Sequence, residues 1–484
     1  MAGAVNKWYL LSWVMVITLS YVNYGFGIVY FNSFTEMIYK QFKSLDINVV
    51  EGENLFNSIV STMIPAGALI GTLVGGYLAG RGRRYAIILL DICLMFGIVL
   101  TVTPNFYLLW LGRFIYGMYI GAISISCPLF VEEISPKEQS GPMGTFTQIM
   151  ITVGFIIAYC LGFLVPYEYT EEGDENKDIY TSKIWKWIFL TPIIIAGLQL
   201  LLLICIFRYD SPRYYHLIGD NEKKQMAMKK VSDEDYLDSG LDNSNVLEVT
   251  FCQLFTRSFR CALSIGWILV LFNQLTGANA IAFYSNKIFI RGREGYEAEH
   301  DARIGTLWLG IGTFAASSFT YILTEYFPKK GLLLIGFICM SITFAILWPS
   351  AFFEIDSLIV IFTWVFMIFF NISVGTLIAP YNAQILPDKG VSISQFLSWF
   401  LVVLISSFTE QGFEYLKAHG MYLLFFGTNF IGFIFTYIFV KETKGVDKSR
   451  LLKLYWNDYD TTAQQEYQHL SINLIEENKE NDTA

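Results

Sequence analysis

The chain has 484 residues, 54% of them hydrophobic and 15% charged, with a formal net charge of -9. Soluble domains carry about 25% charge; here charge is kept out of long apolar stretches, which excludes a soluble globular fold in favour of a membrane protein. A nucleic-acid surface is excluded too, because the basic residues form short clusters at the ends of apolar runs and much of the acid sits in 168–178 and after Asp458.

In chain order the pattern predicts twelve helices, over 9–31, 55–79, 85–103, 107–131, 142–165, 184–207, 261–286, 304–324, 332–350, 357–381, 391–411 and 419–440. Each can cross a hydrocarbon core that needs about 20 helical residues. The first run is long enough to span and lacks a small-residue cleavage site, so it reads as an uncleaved span. The second helix carries Gly67, Gly71 and Gly75, and the fourth carries Gly117 and Gly121. Small residues at this spacing let helix backbones approach closely in lipid. Seven cysteines are present without a CxxC pair, and most lie within apolar runs. They read as buried thiols and not as a disulfide framework or metal site.

Three short motifs occur twice, in the same order and about half a chain apart. The first set is Gly82-Arg83-Arg84, Glu133-Ile134-Ser135-Pro136 and Asp210-Ser211-Pro212-Arg213. The second is Pro328-Lys329-Lys330, Gln384-Ile385-Leu386-Pro387 and Lys441-Glu442-Thr443-Lys444-Gly445. Each follows an apolar run, which predicts an all-α integral membrane protein of two pseudo-symmetric six-helix halves. The halves are residues 1–207 and 261–445, joined by a polar linker with short helices over 208–260 and followed by a tail over 446–484. The tail is polar and acidic, and residues 457–484 are expected to be disordered. Arg81, Arg83, Arg84, Arg208, Arg213, Lys329, Lys330, Lys441 and Lys444 share one side, which should be cytoplasmic along with both termini. The opposite loops are acidic, and 287–303 reads as a mixed polar loop.

These motifs resemble the sugar porters of the major facilitator superfamily, over roughly residues 10–445. The resemblance rests on Gly112-Arg113 with Gly117 and Gly121, on Pro128 to Gly141, and on Ser211-Pro212-Arg213-Tyr214. It rests also on Gln274-Leu275-Thr276-Gly277-Ala278-Asn279 followed by Phe283-Tyr284-Ser285, and on Glu442-Thr443-Lys444-Gly445. The chain departs from the pattern at Ala79, Ser140, Asn273, Thr313, Ala379 and Gln384. Loss of the second-helix acid, here Ala79, is shared with hexose transporters of apicomplexan parasites.

The resemblance implies that Gln148, Ile151, Asn273, Gln274, Asn279, Thr313 and Asn371 bind substrate. Neutral amides suit a sugar, since each offers two donors and an acceptor to replace its water; the alternative is that they bond neighbouring helices. Gln274 and Asn279 lie about 140° apart around a straight helix, so Gly277 is predicted to break the seventh helix at the site. Tyr284 and Phe283 read equally well as gate or core aromatics. Pro380 could kink the tenth helix as a gate or be an ordinary terminal proline. Arg83, Glu133, Arg213 and Glu442 are candidates for ion pairs that clamp the halves, or for charges that set topology alone.

Proton-coupled members of the family carry an aspartate in the first helix, which falls here on Gly25, and 9–31 contains no acid. Arg113 therefore lacks the carboxylate it would meet. Asp91 is an intramembrane acid, open to a coupling role or to pairing with a nearby arginine. Facilitative hexose uniport, with glucose the expected substrate, is the favoured reading. A proton symporter, a carrier of a polyol or other small polar solute, and a non-transporting sugar sensor are the alternatives. No Ser/His/Asp set, phosphate loop or HExxH motif occurs, so no enzyme is expected. The remaining expectations are a monomer in the plasma membrane, a sugar and the bilayer as partners, no nucleic acid and no cofactor.

Overall fold

A backbone in lipid must satisfy its own hydrogen bonds, and a continuous helix does so. The computed structural model describes residues 7–45, 53–135, 140–169, 174, 176–231, 253–256, 259–282, 295–444, 446 and 455. Among them, eleven helices are long and apolar enough to cross a membrane, and a shorter apolar helix, Lys389–Ile405, adds a twelfth. The first half runs through Lys7–Val29, Glu53–Gly80, Arg83–Val102, Phe106–Ile134, Ser140–Gly162 and Ile184–Cys205. The second runs through Arg260–Ala282, Tyr296–Tyr326, Lys329–Phe352, Asp356–Ile385 and Asp388–Phe439, the last containing the eleventh and twelfth spans. A left-handed residue, Lys417 (φ 55°), separates these two, inside the gap expected between 411 and 419.

Sharp local signals end the helices. Gly82, at φ 130°, turns the chain between the second and third spans. Asn105 starts the fourth by accepting from Tyr107 N at 2.9 Å and Leu108 N at 3.2 Å. The glycine stripes of the second and fourth spans face one another. A Cβ on Gly75 would lie 2.6 Å from Ala122 Cα, and one on Gly71 would lie 2.8 Å from Met118 Cα. The two backbones therefore touch with no room for a methyl group.

Two buried cores result, one from each half. Trp399 and Val402 of the eleventh span are the exception, since they pack into the first core.

Three expectations need correction. The eighth span begins at Tyr296, so 296–303 is helix and not loop. Glu297 and Glu299 in its first turn favour that start, and Glu299 pairs with Arg303 one turn on. The tenth helix runs through Pro380 to Ile385; its break falls earlier, at Ser373 (φ −126°, ψ −93°). Among the described cysteines, Cys160, Cys205 and Cys261 are exposed on helix surfaces and not buried.

Candidate functional site

Neutral amides from the two halves meet in the middle of their helices. Gln148 of the fifth span donates through Nε2 to Asn371 Oδ1 of the tenth at 3.2 Å. Ser317 of the eighth span donates to the same oxygen at 3.3 Å. Asn371 is buried, with its own Nδ2 bonded to Met367 O at 2.8 Å. Its carbonyl accepts from Thr320 at 3.3 Å and from Thr376. These hydroxyls satisfy the backbone at the Ser373 break, where the helical ladder lapses. The bend thus sits beside the amide, which explains why it falls there and not at Pro380.

The seventh helix is broken as its glycine predicts. Gly277 lies at φ +94°, and a side chain there would meet the Phe425 ring at 2.9 Å. Helix Arg260–Leu275 stops, and a second piece resumes at Ala278. The break turns Asn279 back so that it donates to Gln274 Oε1, overcoming the angular separation of the two positions. Gln274 in turn donates to Ser398 of the eleventh span at 2.6 Å. Asn273 shares the region, and its Oδ1 is buried without a hydrogen-bond partner. Next to Ser398, Trp399 is 4% exposed, and its ring centroid lies 5.9 Å from that of Tyr24 on the first span. The eleventh span thus brings an aromatic wall, Trp399 with Tyr24, next to the hydroxyl that the seventh-helix amides bond.

Not every predicted position joins this arrangement. Thr313 is buried, and its hydroxyl turns back onto Gly310 O at 2.9 Å. The Ile151 backbone packs against the first span: a Cβ on Gly25 would lie 2.8 Å from Ile151 C and nearer still to its oxygen. Tyr284 and Phe283 lie outside the described residues. Ser317, Ser398 and Trp399 were missed. A serine in an apolar run gives no periodic signal; only the broken polarity of Gln395-Phe396-Leu397-Ser398-Trp399 hinted at a pore-facing stripe.

Arg113 is held by neutral groups. It donates to Val60 O at 2.9 Å and Tyr30 Oη at 3.1 Å, and its guanidinium lies 4.1 Å from the Phe31 ring centroid. Asp91 is fully buried and accepts from Tyr119 Oη at 3.3 Å, not from an arginine. Arg84, the nearest candidate along its helix, instead caps carbonyls of the sixth span, Leu203 O at 2.9 Å and Phe207 O at 3.0 Å.

The charged motifs gather on one face, where the following bonds lie within a half. Arg83 donates to Glu133 at 2.7 Å, Arg213 stands 3.7 Å from the same carboxylate, and Ser211 Oγ donates to its other oxygen. Asp210 accepts from the backbone N–H groups of Arg83 at 3.1 Å and Arg84 at 3.0 Å, which caps the third span. Burial pushes the Asp210 carboxyl above the usual range, while these N–H donors pull it back. The second half repeats the cap. Glu442 accepts from Lys329 N at 3.1 Å and Lys330 N at 2.9 Å, at the start of the ninth span. The repeat fails at one point. Gln384 stands where the first half has Glu133, and the Lys329 ammonium and Gln384 Oε1 are both buried without hydrogen-bond partners. Arg81, counted with this cluster, is exposed over the Tyr77 ring at 4.5 Å. Among the described residues no group of three or more His, Cys, Asp or Glu could hold a metal ion.

Twelve spans, duplicated caps and a midplane amide cluster define a membrane carrier of the major facilitator type. The family model described as "Sugar (and other) transporter" matches residues 13–451, and the chain belongs to that family. It is 24% identical over 460 residues to "Hexose transporter 1" of Plasmodium vivax (strain Brazil I), covering 90% of each chain. It is 26% identical over 426 residues to "Glucose transporter GlcP" of Staphylococcus epidermidis, covering 83% of this chain and 91% of that one. Its fold superposes on the proton:xylose symporter XylE bound to 6-bromo-6-deoxy-D-glucose with a TM-score of 0.80, at 20% identity, over 93% of this chain and 100% of that one. The protein is a multi-pass membrane transporter and not an enzyme.

Proposed function

We propose that this protein is a facilitative hexose carrier, with glucose as its first expected substrate, working by alternating access in the plasma membrane. The observation that carries the substrate class is the paired set Gln148–Asn371 and Gln274–Asn279–Ser398, neutral throughout and beside an aromatic wall. Such groups can exchange their mutual bonds for the hydroxyls of an uncharged sugar. The relatives named for hexose and glucose transport support the same class. The motif face, rich in Lys and Arg, is assigned to the cytoplasm with both termini, and the carrier is taken to act as a monomer.

The first span supports the passive reading. A coupling acid in place of Gly25 has no space, because the fifth span's backbone occupies it. Arg113 is already satisfied by neutral oxygens and a ring face, so it does not call for a carboxylate. The test is uptake of labelled glucose into proteoliposomes with and without an inward proton gradient, together with a competition panel of hexoses, pentoses and inositol. Equal uptake in both conditions, competed by hexoses, is expected. Uptake that needs the gradient would make the protein a symporter and return attention to Asp91. Competition by inositol alone would change the substrate to a polyol.

A further inference from the structure

The face opposite the charged motifs carries a bonded junction between the halves. Arg303, in the second turn of the eighth span, is 6% exposed. Its guanidinium donates to Gly162 O at 3.0 Å, Val165 O at 2.7 Å and Pro166 O at 3.3 Å, where the fifth span ends. Val165 O and Pro166 O lie past the last helical residue, Gly162, whose own O also accepts from Val165 N at 3.2 Å; a cation is favoured at such a helix end. Arg303 is also paired with Glu299 and lies 4.0 Å from the Tyr167 ring centroid. Glu299 passes the connection on by accepting from Glu168 N at 2.9 Å. Glu168 pairs with Lys40 of the helix Thr35–Ser44. Tyr167 packs edge-on against Tyr296 at 4.7 Å. Lower on the same seam, Gly310 leaves room for Tyr159, whose ring a Cβ there would meet at 2.8 Å.

We propose that Arg303 is the latch of the outer gate, a positioning residue that holds the outer ends of the fifth and eighth spans together until the site opens outward. One side chain replaces the missing continuation of one helix with a fork from the other half, and that fit is lost once the two ends separate. A planar guanidinium can reach three carbonyls and a carboxylate at once, which an ammonium cannot. This inference rests on the alternating-access reading, but its physical content is a distance that can be measured without sugar.

The experiment uses spin labels on Leu164→Cys and Glu297→Cys, both exposed positions flanking the junction, in a cysteine-free background of the full chain in liposomes. The distance distribution is compared for Arg303, Arg303→Ala and Arg303→Lys. Arg303→Ala is expected to move population to longer distances, and Arg303→Lys to do so partly. Because apparent affinity scales with the fraction of competent carrier, Arg303→Ala should lower the half-saturation constant for outside glucose about three- to tenfold and raise the inside one. If Arg303→Ala fails to fold, Glu299→Gln should give a smaller shift in the same direction. Unchanged distances in folded variants overturn the latch. So does full turnover when Leu164→Cys and Glu297→Cys are bridged by a short cross-linker, because the seam would then be a permanent pivot. A carrier of some other solute would leave the distance shift intact and lose only the glucose readout.

Discussion

Gly25→Ala tests the packing on which the proposal of passive transport rests. A methyl carbon there would stand 2.8 Å from Ile151 C and 3.0 Å from Ile151 Cα, with the oxygen closer still. Ordinary carbon–carbon contact needs about 3.5–4.0 Å, so the first and fifth spans must part by about 1 Å. They cannot part locally, because Gly154 is pressed just as closely on the first span; a Cβ there would lie 2.6 Å from Phe26 N. Overpacking costs about 1–3 kcal/mol, and the backbone-to-backbone nature of this contact puts the expected cost at the upper end. Helix propensity favours alanine over glycine by up to about 1 kcal/mol, which is too small to reverse the sign. The control is Gly144→Ala on the same fifth span, where an added Cβ meets nothing within 4 Å. Thermal stability in detergent, read by loss of the monodisperse chromatographic peak, should fall for Gly25→Ala and stay level or rise for Gly144→Ala. Glucose uptake should fall with it, since Gln148 lies on the displaced helix. Equal stability of the two variants would refute the steric argument and reopen the first span to a coupling acid.

Further outcomes follow from the same contacts. Gln274→Leu removes a donor to Ser398 and an acceptor for Asn279; the half-saturation constant for glucose should rise at least about tenfold, as expected for a loss of 1.4 kcal/mol or more, at near-normal thermal stability. Glu133→Gln leaves the buried Arg83 without its carboxylate, and breaking such a pair costs about 3–5 kcal/mol, so the folded yield should drop sharply. Gln384→Glu puts a carboxylate at the register position of Glu133, in a half where the Lys329 ammonium is buried without a hydrogen-bond partner; thermal stability should rise, and a fall would mean that the two halves do not correspond at this point.

The sequence carried the topology because lipid leaves the backbone few options. Spans of about 20 apolar residues, broken by Gly82 or capped by Asn105, could be read directly. The seventh-helix break was legible for the same reason, since Gly277 was the residue able to take that backbone. The tenth-helix break was not: it depends on Thr320 and Thr376 reaching one carbonyl, a tertiary event that Pro380 obscured. Ser398 and Arg303 were invisible as partners because their bonds link residues 124 and about 140 positions apart. The mixed charges of 287–303 favoured reading it as loop, whereas Glu299 and Arg303 pair along the helix and cancel.

The bond between Gln148 and Asn371 has a kinetic meaning for a carrier. Amides that already hold one another would give an arriving hexose an internal rival for the same lone pairs and protons. On the proposed hexose-carrier reading, affinity would thereby be capped, and the self-made bond that re-forms on departure would help eject the cargo. A molecule whose purpose is throughput gains from such loose grip, because a solute held tightly at the midplane would stall the cycle instead of completing it.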